Sequence, residues 1–69
     1  MKDFKIGKYK HYKGDVYDVL ALGLHTETDE LLVMYADSEK RIWARPYKMF
    51  IENIVVDDGE QKRFEYVGE

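Results

Sequence analysis

Arg41-Ile42-Trp43-Ala44-Arg45-Pro46-Tyr47-Lys48-Met49-Phe50 alternates two kinds of side chain over its first half, meets the only proline of the chain, and ends in a short apolar run. Period-two alternation marks a strand with two different faces, here Ile42 and Ala44 inward and Trp43 and Arg45 outward. Pro46 stops that strand because it has no backbone N–H to give to a ladder. The segment beyond the proline is too short for a free-standing α-helix, but the fixed φ of proline suits a single 3₁₀ turn over residues 46–50 that carries Met49 and Phe50 inward. A strand that runs into one helical turn ahead of the penultimate strand belongs to a small antiparallel barrel.

Upstream, a strand over residues 8–12 ends at Lys13-Gly14-Asp15, where glycine supplies the positive φ of a tight reversal. A longer strand over 16–24 places Tyr17, Val19 and Ala21 on one face against Asp18; beyond that point Leu20, Leu22 and Leu24 are also apolar, so either both faces are covered or Gly23 introduces a bend that exchanges them. His25-Thr26-Glu27-Thr28-Asp29-Glu30 is a polar loop, residues 31–36 form the third strand, and Asp37-Ser38-Glu39-Lys40 turns into the fourth. Downstream come strands over 51–56 and 62–67, joined by the hairpin signal Asp57-Asp58-Gly59-Glu60. The expectation is an all-β, small antiparallel SH3-like barrel or roll of five or six short strands. It forms a single domain over residues 1–69. An OB-type barrel ranks second because it needs a longer chain and an intervening helix.

Composition bounds what such a domain can do. A chain of 69 residues has room for one core, and only about 60% of the unfolded surface is buried at this size. Trp 1, Tyr 6 and Phe 3 answer that shortage, since each aromatic removes roughly 150–250 Å² from water. The aromatic excess either fills the core or presents a surface. With Cys 0 there is no disulfide framework and no thiolate metal site, which fits a reducing compartment. No signal-like apolar run opens the chain and none approaches the ~18 residues of a membrane span, so the expected location is cytoplasmic. A net charge of −3 opposes bulk capture of nucleic acid, yet Lys2, Lys5, Lys8, Lys10 and Lys13 crowd the amino-terminal part against Asp3 alone.

Gly7-Lys8-Tyr9-Lys10-His11-Tyr12-Lys13-Gly14, Tyr17-Asp18-Val19, His25-Thr26-Glu27-Thr28, Val33-Met34-Tyr35, Trp43-Ala44-Arg45-Pro46, Met49-Phe50 and Arg63-Phe64 together resemble a bacterial family known as domain-of-unknown-function family 1653. Their order and spacing carry the resemblance over nearly the whole chain. It implies a small stand-alone protein of SH3-like roll topology and no catalytic residues. Two positions depart from the family pattern: Leu24 stands where a basic residue is common before His25, and Tyr47-Lys48 follows Pro46 where a leucine and an acidic residue are usual.

For chemistry, His11 and His25 are the only histidines, and neither has a nucleophile at a suggestive position. A metal held by His11, His25 and Glu27 lacks paired ligand spacing, and Glu27, Asp29 and Glu30 lack the glycine and alternating ligands of a calcium loop. No metal and no cofactor are expected. Arg45 has two readings: a planar fork free to pair a carboxylate or phosphate, or one half of an internal ion pair. The expected function is that of a non-enzymatic binding module for a protein or peptide partner, through a surface built from Tyr9, His11, Tyr12, His25, Trp43, Arg45 and Tyr47. A single-stranded nucleic-acid-binding domain is the alternative, and a small-molecule or enzymatic site around His25 is the outlier. A weak homodimer is also expected, through residues 31–36 as an edge strand without lysine or proline.

Overall fold

The long second strand organises the molecule, and residues 4–69 are described in the computed structural model. The elements are β1 (Gly7–His11), β2 (Val16–Leu24), β3 (Leu31–Ala36), β4 (Ile42–Pro46), α1 (Tyr47–Phe50), β5 (Asn53–Val56), β6 (Gly59–Lys62) and β7 (Phe64–Gly68). β2 and β3 match their expected limits, and the fold is all-β and antiparallel. Among the described residues the strands number seven rather than five or six, because the carboxy-terminal segment breaks at Arg63 into β6 and β7. Lys2 and Asp3, counted in the amino-terminal charge, lie outside the described residues.

The strands form an open five-stranded sheet in the order β4-β3-β2-β1-β7 and a separate two-stranded sheet of β5 and β6, so no closed barrel is made. β3 sits between β2 and β4. It is therefore not the free edge expected for self-association, and β4 and β7 hold the edges of the large sheet instead. The turn after Pro46 is α-helical rather than 3₁₀: the Ile51 N–H donates to the Tyr47 carbonyl at 3.1 Å, an i to i+4 bond, with Ile51 itself in the right-handed helical region.

Directly opposed residues in an antiparallel pair share a face, so the register assigns the sides of the sheet. Val19 lies opposite Tyr35, and Tyr35 opposite Trp43; Leu22 lies opposite Val33, and Val33 opposite Arg45. Val19, Val33 and Tyr35 are buried with Tyr9, Phe50 and Phe64, and Phe4, Tyr17, Leu22, Tyr47 and Tyr66 pack around them. The faces of β2 exchange at Leu20, which is skipped in the pairing between Val19 and Ala21, and not at Gly23. This bulge returns Leu22 to the core side and turns Ala21 out.

On β4 the alternation is as expected but its sense is reversed. Trp43 and Arg45 share the core side with Tyr35 and Val33, while Ile42 and Ala44 face outward opposite Ala36 and Met34. β4 is an edge strand that overhangs the core, so Ile42 stays 56% exposed despite its apolar side chain.

Candidate functional site

Phe64 opens β7 directly opposite His11 of β1, and its ring is the floor on which the other side chains meet. Phe50 stacks on it at 4.1 Å between centroids. His11 stands edge-on to it at 4.9 Å, Tyr17 at 5.8 Å and Tyr35 at 5.9 Å. The Arg45 guanidinium lies over the ring at 5.5 Å and its Nε donates a long bond, 3.4 Å, to the Tyr35 hydroxyl. Four strands and the helical turn thus converge on one aromatic ring from inward positions that are staggered along the sheet: only His11 is directly opposite Phe64, while Tyr17 is paired with Tyr9, Tyr35 with Val19 and Trp43, and Arg45 with Val33.

Arg45 is half-buried and, among the described residues, makes no ion pair; its only hydrogen bond is the one from Nε. The internal-ion-pair reading of this side chain therefore finds no partner there. Asp18, Asp37 and Glu52 are instead paired with Lys8, Arg41 and Arg63, each at 2.8 Å. The Nε of Arg63 is buried with no acceptor among the described residues.

Beyond Tyr35, Trp43 extends the row of rings past the core and is 47% exposed. Its orientation is set by a hydrogen bond, with the indole Nε1 donating to Asp37 Oδ2 at 2.9 Å and the Arg41 guanidinium 5.6 Å from the ring. Asp37 also accepts from the backbone N–H groups of Glu39 and Arg41 and from Arg41 Nε. The indole donor most of all, together with the backbone and guanidinium donors, holds its carboxyl at about 2 against the opposing effect of burial, which is second in size only to the indole bond. Tyr17 is pushed up, first by burial and then by the carboxylates of Asp15 and Asp37, with Arg45 opposing.

His11 is lowered from the ordinary histidine value, chiefly by burial and then by the positive charges of Arg45, Arg63 and Lys13, with Asp15 opposing. Its Nδ1 accepts the Lys13 N–H at 3.1 Å, so the neutral ring carries its proton on Nε2. It also borders an open hollow of about 380 Å³ lined by Lys10, Tyr12, Gln61, Lys62 and Glu65.

The seven expected surface residues divide. His11 and Arg45 come together around the Phe64 floor, with Tyr12 beside His11 at 4.5 Å between rings, while Trp43 lies beyond Tyr35 at the edge of the sheet. Tyr9 is no surface residue: it is 6% exposed, packs edge-on against Phe50 at 5.2 Å and donates its hydroxyl to the Lys5 carbonyl at 2.6 Å. Tyr47 is half-buried against Phe4 at 5.5 Å. His25 lies at the far end of β2 from Tyr17, in the β2–β3 loop. There its Nδ1 accepts the Glu27 N–H at 3.1 Å and its backbone bonds to Glu30 and Asp29, which makes it a loop former rather than part of this site. Tyr17, Tyr35 and Phe64 were not among the expected site residues. For Tyr17 and Tyr35 the signal was the inward alternation of β2 and β3, which marks core positions and does not by itself say that the core opens there; Phe64, at the start of β7, carried no such signal.

The arrangement offers aromatic faces, one oriented guanidinium and a neutral imidazole, with no serine or cysteine nucleophile among them. No group of three or more His, Cys, Asp or Glu is placed to hold a metal ion among the described residues. Nor is any described helix long and apolar enough to cross a membrane.

A family model described as a protein of unknown function, DUF1653, matches residues 7–66. Among solved structures, the chain is similar to the crystal structure of a DUF1653 protein from Bordetella bronchiseptica, at 40% identity and a TM-score of 0.90 over 99% of this chain and 92% of that one. No curated protein matches the chain.

Proposed function

The chain belongs to the DUF1653 family, and from that premise we propose that it is a non-enzymatic cytoplasmic binding module that takes an extended segment of a protein partner across Trp43 and the half-buried Tyr17, which lie on either side of the buried Tyr35. One observation carries this reading. Trp43 lies on the core side of the sheet yet outside the core, and a hydrogen bond to Asp37, not packing, fixes its ring. An ordered aromatic that the core does not need costs little entropy to bind against. An SH3-like arrangement, with its helical turn after β4, suits the same mode, in which an aromatic groove takes an extended peptide.

The nucleic-acid alternative is disfavoured by the placement of charge. Lys8 and Lys10 point to the outer face, where Lys8 pairs with Asp18 at 2.8 Å and Lys10 lies opposite Glu65, while Tyr9 and His11 point to the core side. Lys8 is thus tied up on the face opposite Tyr9, while Lys10 and Lys13 lie near His11 and Tyr12 but away from Trp43, and Tyr17 in the aromatic row is flanked by Asp15 and Asp37. Stacked bases would bring phosphates towards those carboxylates.

Titration of an isotope-labelled sample with extended peptides and with an unstructured oligonucleotide tests the reading. Peptides should shift the resonances of Tyr17 and Trp43, and Trp43→Ala should abolish the effect in a folded protein. Shifts at these residues with the oligonucleotide alone would establish the alternative instead.

A further inference from the structure

We propose that Arg45, oriented by the Phe64 ring and the Tyr35 hydroxyl and flanked by His11, is the seat for one carboxylate of the bound peptide, so that the partner segment is acidic at a fixed position. This rests on the peptide-binding reading and names what that reading leaves open. The fork is already ordered: the guanidinium lies over the Phe64 ring at 5.5 Å, and Nε is committed to Tyr35 at 3.4 Å. Its two Nη groups have no acceptor among the described residues, and a planar carboxylate fits such a fork with two parallel bonds.

The surroundings favour a carboxylate over a phosphate. Arg45 from β4, Arg63 from the junction of β6 and β7, and Lys13 from the β1–β2 turn all act on His11, and only Asp15 opposes them, so one negative charge would be welcomed here. A phosphate brings more charge than one seat balances, and it would stand near the carboxylates of Asp15 and Asp37 that already act on Tyr17.

Two peptide pools separate the outcomes: octapeptides with blocked ends, otherwise randomised among neutral residues, carrying either Glu or Gln at one fixed position. Affinity is read from the fluorescence of Trp43, and the His11 titration from its ring-proton resonance. The Glu pool should bind about tenfold more tightly, as a charge-assisted pair at a half-buried seat implies. The His11 midpoint should rise in its presence and not with the Gln pool. Arg45→Gln should remove the preference, so that the two pools bind that variant alike, while Arg45→Lys, which keeps the charge and loses the fork, should keep part of it.

Equal binding of both pools by the unaltered protein would overturn the carboxylate seat and leave the peptide reading standing. Binding of neither pool would overturn both. Displacement of the Glu pool by inorganic phosphate at equal concentration would also overturn it, by showing a seat for phosphate.

Discussion

Phe50 and Phe64 stack face to face, with ring centroids 4.1 Å apart and planes within 6° of parallel. One ring comes from the helical turn that follows β4 and the other from the first residue of β7, so the contact ties the middle of the chain to its last strand. The Arg45 guanidinium lies 5.5 Å from the same Phe64 ring, so the floor of the candidate site is one member of a stacked core pair.

Replacing Phe50 with alanine removes a side chain that is 1% exposed and should destabilise the fold by about 3–5 kcal/mol, measured by urea unfolding. A loss under about 1 kcal/mol would contradict the packing described.

Asp37 gives a pH dependence of definite sign. Its folded carboxyl sits at about 2 against an ordinary 3.8, so folding favours the charged form. The stability it contributes is present above the ordinary value and is lost as pH falls from there towards about 2. Because Trp43 is the only tryptophan, its emission should report the change, moving as the indole loses its acceptor. Asp37→Asn should flatten that acid transition; an unchanged one would show that Asp37 does not hold the indole.

Gly7 has φ +145°, and a Cβ built there would meet the Gly68 carbonyl oxygen at 2.7 Å, next to the irregular pairing of β1 with β7. Gly7→Ala should cost on the order of 1–3 kcal/mol, since both the backbone and the neighbouring strand must yield. Thermal unfolding of the variant checks this.

The β5–β6 turn places Asp57 at φ 51° and Asp58 at φ 66°, both left-handed, in the manner of a two-residue type I′ turn. Asp58→Gly should stabilise the protein by about 0.5–1 kcal/mol by relieving that strain. No gain in midpoint would mean that aspartate's local bonding already offsets it.

The limits of β2 and β3 were legible because long apolar alternation bounded by polar turns admits one reading. The hairpin after β5 was legible too, though the sequence pointed to Gly59 as its special residue while the positive φ angles fall on Asp57 and Asp58. What failed was the sense of β4. Alternation says that Trp43 and Arg45 share a face, but not which face, and an overhanging edge strand breaks the rule that apolar residues such as Ile42 point inward. Tyr9 was misplaced for a related reason: tyrosine serves core and surface alike, and only the Lys5 carbonyl that receives its hydroxyl decides between them. The strand count failed at Arg63, where a single residue that bonds to Glu52 and Tyr12 turns the chain from one sheet to the other. Such a pivot leaves no periodic trace.

That pivot sets a hierarchy of opening. β5 and β6 pair only with each other, and a two-stranded ribbon has little stability of its own in water. The ribbon is clasped at its base by the Arg63–Glu52 ion pair at 2.8 Å and by the Arg63 N–H on the Glu52 carbonyl at 3.1 Å. Amide exchange should therefore run in two tiers, with the ribbon losing its protons as a unit while β1, β2 and β3 keep theirs until global unfolding. Since Arg63 also receives the Tyr12 N–H at the end of β1, releasing the clasp would be felt beside His11 before any core side chain moves.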